Sequence, residues 1–227
     1  MSSSVAKPII KQIKDRQDAL DFFEHVSLPK EDEKTQEIIM NFPTVYIHNW
    51  QESGDFEVYV GESNDIFKRT RQHYDAASDN SKWQSKLLEK DASLFIIGHE
   101  HFNKSLTLDI ENRLMHYMMS VDRVKHVHNL RDNPQTSYYP MEELDDIFGK
   151  IWGGLRKENK ELFPTESVIK DSAIYKASPL HKLTKEQEKA RELIIQKVSD
   201  ALENGETKQL IFIDGEAGTG KTVLNSS

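Results

Sequence analysis

Two runs of β-branched and aromatic residues in the first third of the chain have the pattern of neighbouring strands. Residues 44–50 read TVYIHNW, residues 56–61 read FEVYVG, and the segment QESGD between them has turn chemistry. Two such runs around a short glycine-containing loop are typical of an antiparallel hairpin. A further apolar run at residues 93–98, SLFIIG, predicts another strand.

Helical patterns flank these strands. The residues Ser63, Asn64 and Asp65 predict an N-cap for the first helix, and Thr107 predicts the cap of a later one. We predict helices at four places, which are residues 66–74, about 83–90, 107–119 and about 144–155. The pattern therefore favours an α/β protein of the α+β type, with a small central antiparallel sheet flanked by helices.

Changes in the residue pattern along the chain divide it into four parts. A polar, helix-prone extension precedes the strands, and a helical tail and linker follow the mixed α/β region. Near Leu183 an amphipathic helix begins, and the apolar run 209–214 then predicts a buried strand. The predicted parts are residues 1–42, 43–140, 141–182 and 183–227.

The last part contains a nucleotide-binding motif. Residues 215–222, GEAGTGKT, fit the P-loop pattern, in which backbone amides cradle phosphates. Lys221 is expected to reach the terminal phosphates and Thr222 to hold magnesium. The predicted nucleotide-binding residues are Gly215, Gly218, Gly220, Lys221, Thr222 and Gln187.

Gln187 joins that set because residues 183–187, LTKEQ, resemble the element that precedes the P-loop in superfamily 1 helicases, and the resemblance implies that Gln187 contacts adenine. Only five residues follow Thr222, too few for the helix behind the loop or for a second metal-binding strand. We therefore expect a truncated, incomplete ATPase segment here, with ATP binding and hydrolysis reserved for a longer protein.

Composition narrows the class of protein. The chain has no cysteine, which excludes disulfides and thiolate metal sites. It has neither a signal peptide's apolar core nor an apolar run long enough to cross a membrane, so we expect a cytoplasmic protein without a membrane partner. The net charge of −8 argues against nonspecific polyanion binding, although basic residues cluster locally at Lys68, Arg69 and Arg71.

The mixed α/β region carries an ordered set of polar residues. Tyr46 and Tyr59 lie on the two hairpin runs, Arg69 follows Gly61 by eight residues, and His73 follows four later. Because Arg69 and His73 are separated by four residues on a predicted helix, they share one face. The pattern resembles the GIY-YIG endonuclease family, with Thr44 in place of the first glycine and Glu62 where a basic or small residue is frequent.

That resemblance implies a metal-dependent hydrolysis of phosphodiester bonds, with Arg69 gripping the phosphate and Glu111 holding one divalent cation, Mg²⁺ or Mn²⁺. It also implies that Asn129 belongs to the catalytic set and that nucleic acid, with DNA expected, is the substrate. Glu111 falls between Leu108 and Leu114 on the apolar side of its helix. A carboxylate there needs a partner, either a metal ion or an arginine.

The identity of the general base stays open among Tyr46, Tyr59 and His73. The arrangement as a whole is similar to fusions of a GIY-YIG domain with a Schlafen-type group 3 helicase, which implies DNA processing or defence. Two other interpretations remain: a catalytically silent nucleic-acid-binding module attached to an NTP-driven helicase, and a motor protein whose N-terminal domain is a scaffold. His99, Glu100 and His101 invite a metal interpretation, but we predict a polar turn there.

Overall fold

The computed structural model divides the chain into two compact units, Met1–Ile169 and Lys170–Ser227. The described residues are 6–14, 33–77, 82–88, 91–129, 141–178, 180, 183–205 and 210–214. Their secondary structure is mixed α/β. Within the described part of the chain, no helix is both long enough and apolar enough to span a membrane.

A mixed sheet forms the centre of the first unit. The strands traced in the described residues are β1 (Ile9–Ile13), β2 (Thr44–Glu52), β3 (Asp55–Ser63), β4 (Ser93–Gly98) and β5 (Val124–Val127). Their order across the sheet is β1-β4-β2-β3-β5. The pairings of β1 with β4, β4 with β2, and β2 with β3 are antiparallel, whereas β5 runs parallel to β3.

The hairpin between β2 and β3 is as predicted. Ser53 and Gly54 form its two-residue turn with φ values of 55° and 88°. Two consecutive positive φ angles suit the right-handed twist of a hairpin, and glycine reaches this conformation without steric cost. The turn sets the register in which Tyr46 lies opposite Gly61 and His48 lies opposite Tyr59.

Helices surround the sheet. In the first unit they are α1 (Glu33–Asn41), α2 (Ile66–Ala77), a 3₁₀ helix (Lys82–Leu88), α3 (Lys104–Met119) and α4 (Met141–Glu158). The predicted cap of α2 is present, since Asp65 Oδ1 accepts from the Lys68 amide at 2.9 Å. The cap of α3 is different from the predicted one: Asn103 Oδ1 accepts from the Leu106 amide at 3.0 Å, and Thr107 is buried inside the helix.

Each face of the sheet packs against a separate layer. The alternation along β2 sends the side chains of Tyr46, His48 and Trp50 to one face. The residues of α1, α2 and the 3₁₀ helix that pack in the same cluster as Tyr46 and Trp50 are Ile39, Ile66, Tyr74 and Leu87. On the other face Phe95 packs edge-to-face on Phe163. The strand β2 is thus buried on both sides over its first seven residues.

Two elements of the sheet correct the expectations drawn from the sequence. The helical extension predicted for residues 1–42 is a strand at Ile9–Ile13 and a helix at Glu33–Asn41. Residues Val124–Val127, for which the sequence pattern predicts no helix or strand, form β5. With β5 parallel to β3, the sheet is mixed rather than purely antiparallel.

The regular elements described in the second unit are helices. The first unit ends within α5 (Glu166–Asp171), and α6 (Ala173–Lys176) and α7 (Lys185–Glu203) follow. Thr184 and Gln187 form a reciprocal capping box at the start of α7. The strand predicted at 209–214 is not formed over residues 210–214, where Leu210 and Phe212 are 76% and 84% exposed. Among the described residues, no strand pairs with this segment to bury it.

Candidate active site

Both predicted tyrosines stand on the same face of the hairpin. Tyr46 on β2 is fully buried, and its ring is stacked near that of Tyr59 on β3, with ring centroids 6.1 Å apart. The two side chains share a face because Tyr59 is paired with His48, two residues along from Tyr46. The local cause is the period of two along each strand, together with the register that the turn imposes.

Helix α2 brings Arg69 and His73 onto these tyrosines. The Arg69 Nε donates to the Tyr46 hydroxyl at 3.3 Å, and a terminal nitrogen of the same guanidinium donates to the Tyr59 hydroxyl at 3.4 Å. His73 Nε2 lies 3.0 Å from the Tyr46 hydroxyl. One guanidinium therefore joins both tyrosines, and the four-residue spacing of Arg69 and His73 places them together on Tyr46 as expected.

The electrostatics of this cluster favour a neutral histidine and a neutral phenol. Burial, reinforced by the charge of Arg69, lowers the pKa of His73 to about 4. Burial also raises the pKa of Tyr46 above its ordinary value, with Tyr59 adding to the rise and Arg69 opposing it. Because neutral His73 can accept at Nε2, the consistent arrangement has Arg69 donating to Tyr46 and Tyr46 donating to His73.

Glu111 and Asn129 form a second polar pair beside β3. Glu111 on α3 is 4% exposed, and its Oε1 accepts from the Asn129 Nδ2 at 3.2 Å. The same amide nitrogen donates to the backbone oxygen of Val60 at 2.9 Å. Val60 lies between Tyr59 and Gly61, so the Glu111–Asn129 pair is anchored to the strand segment that carries the second tyrosine motif.

The six catalytic residues predicted from sequence fall in two hydrogen-bonded groups, and each group includes a contact with β3. The first group contains Tyr46, Tyr59, Arg69 and His73, and the second contains Glu111 and Asn129. The strand β3 connects them. The sequence pattern named these six residues but did not indicate the hydrogen bonds within each group, and their catalytic roles stay predictions.

Two aromatic residues around the tyrosines were not anticipated. His48 is 1% exposed, its ring centroid lies 5.6 Å from those of both Tyr46 and His73, and its Nε2 has no hydrogen-bond partner among the described residues. Trp83 stacks on Tyr59 with centroids 4.1 Å apart and lies 5.0 Å from His73. The position of His48 was readable from the sequence, because it is two residues after Tyr46 on a strand. That of Trp83 depended on where the 3₁₀ helix packs.

Basic residues at the turn of the hairpin are engaged by acidic neighbours. Lys86 pairs with Glu52 at 3.4 Å, and Arg123 and Lys125 both approach Asp55, at 3.5 and 3.6 Å. On α2, Lys68 and Arg71 are exposed.

Beside the second tyrosine motif, Lys104 from the first turn of α3 forms an ion pair with Glu62. A basic group thus stands next to the position where the motif itself carries an acid.

The predicted nucleotide-binding residues are only partly described. Gly215, Gly218, Gly220, Lys221 and Thr222 lie outside the described residues. Gln187 Oε1 accepts from the Thr184 amide at 2.9 Å, which is a capping interaction of α7. Its position in the capping box accounts for the Thr-x-x-Gln spacing without any nucleotide.

The candidate metal ligands at residues 99–101 have other contacts. His99 Nε2 lies 3.1 Å from the Ala6 oxygen, and His99 Nδ1 accepts from the His101 amide at 3.0 Å. Glu100 pairs with Lys34 at 2.8 Å. Within the described ranges there is no group of three or more His, Asp or Glu residues that could hold a metal ion. This region has the contacts of the polar turn that the sequence predicts.

Comparison with known proteins gives no match to this chain: no family model, no curated protein and no solved structure matches it.

Proposed function

We propose that the unit Met1–Ile169 is a metal-dependent endonuclease that hydrolyses phosphodiester bonds in nucleic acid, with DNA as the expected substrate. The observation that carries this proposal is the guanidinium of Arg69 bound to the hydroxyls of both Tyr46 and Tyr59. The motif pattern that resembles the GIY-YIG family adds support, because its tyrosine, arginine, histidine, glutamate and asparagine positions fall in the two bonded groups described above.

Arg69 is the proposed phosphate-binding residue. A guanidinium stays protonated and presents several donors in one plane, which suits it to a phosphodiester and to the charge that develops during hydrolysis. Its contacts with Tyr46 and Tyr59 restrict its orientation. A phosphate at Arg69 would therefore meet the tyrosine hydroxyls as well, and these are the groups that can receive or relay a proton.

Of the three candidate general bases, Tyr46 assisted by His73 is best supported. In this proposal a water proton passes to the Tyr46 oxygen while the Tyr46 proton passes to His73 Nε2, 3.0 Å away. The negative charge of a phosphate bound at Arg69 would offset the arginine charge that helps to lower the pKa of His73, and so would favour this transfer. The hydroxide attacks phosphorus, the bond from phosphorus to the leaving oxygen breaks, and that oxygen takes up a proton from solvent water. His73 then returns its proton to solvent, so that one water is consumed and no net proton is gained by the protein. Tyr59 has a hydrogen bond from Arg69 but no described bond to a histidine.

Glu111 is the proposed metal ligand. Its carboxylate is buried, carries hard oxygen donors and already accepts from Asn129, which fits Mg²⁺ or Mn²⁺ held by one carboxylate with water and phosphate oxygens. A bound divalent cation would supply Lewis-acid stabilisation of the phosphate oxygens. Asn129 orients the carboxylate through its amide.

The test is cleavage of a fluorescently labelled DNA by the wild type and by Glu111→Gln in Mg²⁺. We expect Glu111→Gln to lose cleavage by at least about a hundredfold while binding the DNA with unchanged affinity. Glu142→Gln, which changes an exposed glutamate on α4, is the matched control and should cleave normally. Binding of DNA without cleavage by the wild type would favour the silent recognition module instead, and equal cleavage by Glu111→Gln would refute the role of Glu111.

The P-loop at residues 215–222 stays a prediction from the sequence. We propose that it binds ATP as part of a helicase-like motor to which the nuclease unit is attached.

A further inference from the structure

The segment that follows β5 continues alongside β3 beyond the end of the strand pairing. The ladder between β5 and β3 covers Phe56 to Val58. After it, the His128 amide donates to the Val58 oxygen at 2.9 Å, and the Asn129 side chain donates to the Val60 oxygen at 2.9 Å. These contacts carry the chain far enough along β3 for Asn129 to reach Glu111.

A side-chain contact also holds this segment on the strand. His128 Nε2 lies 2.7 Å from Glu57 Oε2, and the two side chains are 19% and 23% exposed. The His128 ring lies 5.1 Å from that of Trp50. The contact joins positions 71 residues apart and lies next to the irregularity in the ladder between Phe56 and Glu57.

We propose that Glu57 and His128 are positioning residues that hold the segment after β5 against β3 and thereby keep the Asn129 amide on Glu111. The proposal rests on the proposed function, since it assigns the pair to the metal-binding carboxylate. Neither residue contacts the reacting atoms in this scheme. They act on Glu111 indirectly, through the backbone hydrogen bond of the His128 amide and the side-chain hydrogen bond from Asn129 to Glu111.

Glu57 and His128 affect the Glu111 carboxylate because one nitrogen of Asn129, Nδ2, donates both to β3 and to Glu111. If the segment leaves β3, the Asn129 amide leaves both the Val60 oxygen and Glu111 Oε1. A buried carboxylate that loses a donor is less well oriented, and loss of such a supporting partner typically weakens metal binding by about 10–100-fold. The group of Tyr46, Tyr59 and Arg69 has its own contacts from α2 and stays in place.

The test compares His128→Gln with His128→Asn. The glutamine amide has the reach of His128 Nε2 and can donate to Glu57, whereas the asparagine amide is one methylene shorter. We expect His128→Asn to raise the Mn²⁺ dissociation constant of the protein, measured by electron paramagnetic resonance without substrate, by about tenfold or more. His128→Gln should remain within about threefold of the wild type. The control is His126→Ala, which removes the exposed neighbouring ring 4.2 Å from His128 and should change nothing.

Hydrogen exchange of the His128 amide provides a second measurement that is independent of metal and of cleavage. We expect faster exchange in His128→Asn and Glu57→Ala than in the wild type, and wild-type exchange in His128→Gln. Equal Mn²⁺ affinity and equal amide exchange in the two His128 variants would overturn the proposal. If the protein cleaves no nucleic acid, the proposed function fails, yet these two measurements still decide whether the pair positions Asn129.

A further comparison excludes a merely structural role. At saturating Mg²⁺ the cleavage rate of His128→Asn should return to within about threefold of the wild type, because the missing affinity is offset by concentration. A rate loss that persists at every Mg²⁺ concentration, together with unchanged Mn²⁺ affinity, would show damage other than the one proposed. The Glu57→Ala/His128→Asn double variant should be no worse than either single variant, since both remove the same contact.

Discussion

The ring of Tyr46 lies so close to the backbone of its cross-strand partner Gly61 that no larger residue fits between them. A Cβ placed on Gly61 would stand 2.5 Å from both Cζ and the hydroxyl oxygen of Tyr46. The glycine of the second tyrosine motif thus gives the first tyrosine the space to lie across β3. From there its hydroxyl reaches Arg69 and His73.

Gly61→Ala should displace Tyr46. The ring is fully buried and bonded at its hydroxyl, so it cannot move without breaking a contact, and overpacking of this kind costs about 1–3 kcal/mol. We expect a lower melting temperature and a large loss of cleavage. Gly153→Ala is the control, because a Cβ there meets no described atom within 4 Å outside the backbone of its own helix, and alanine favours the helix. A fully active Gly61→Ala would contradict the role assigned to Tyr46.

Tyr46→Phe and Tyr59→Phe should differ in effect. Tyr46→Phe removes the bond to His73 and one bond from Arg69, whereas Tyr59→Phe removes only a contact with Arg69 among the hydrogen bonds described above. An unpaired buried imidazole nitrogen costs about 1–3 kcal/mol. We expect Tyr46→Phe to lose more stability in urea unfolding and more cleavage activity. Equal losses would argue against a Tyr46–His73 proton relay.

His73 should make the stability of the first unit depend on pH. Burial and the charge of Arg69 lower the pKa of His73 from 6.5 to about 4. Between pH 4 and pH 6.5, His73 is therefore protonated in the unfolded chain and neutral in the folded one. The free energy of unfolding is therefore unaffected by His73 above pH 6.5 and falls as the pH is lowered toward 4.

Between pH 6.5 and pH 4, His73 is expected to lower the free energy of unfolding by about 3 kcal/mol, at about 1.4 kcal/mol per pKa unit. The measurement is urea unfolding at pH 7 and pH 4.5 for the wild type and His73→Gln. The decrease should be smaller in His73→Gln. A decrease of the same size in both proteins would assign the pH dependence to other groups, among them His48, whose pKa burial also lowers.

Asn103 should contribute to the stability of the helix that carries Glu111. Its side chain accepts from the Leu106 amide, and replacement of a cap asparagine by alanine costs about 1 kcal/mol. We expect Asn103→Ala to lower the midpoint of urea unfolding, whereas Asn103→Asp should retain the acceptor and the stability. If Asn103→Ala is neutral, the helix does not depend on this cap.

Local patterns in the sequence were sufficient for the central elements. The alternation around Tyr46 and Tyr59, the turn residues at Gly54 and the cap at Asp65 all act within a few residues of the elements they define. The same short range placed Arg69 and His73 on one face of α2. The cap predicted at Thr107 was wrong, because Thr107 is buried within α3 and Asn103 caps the helix instead.

The edge strands and the pairings between distant residues could not be obtained in this way. β1 is a strand because it pairs with β4, and β5 because it pairs with β3, in each case across more than sixty residues of chain. The bond from Asn129 to Glu111 depends on that second pairing. Periodicity, turns and caps are properties of neighbouring residues and can be read from their order. Which distant segments pair depends on the burial and hydrogen bonding of the whole sheet. These interactions form only when the folding chain brings residues far apart in sequence together.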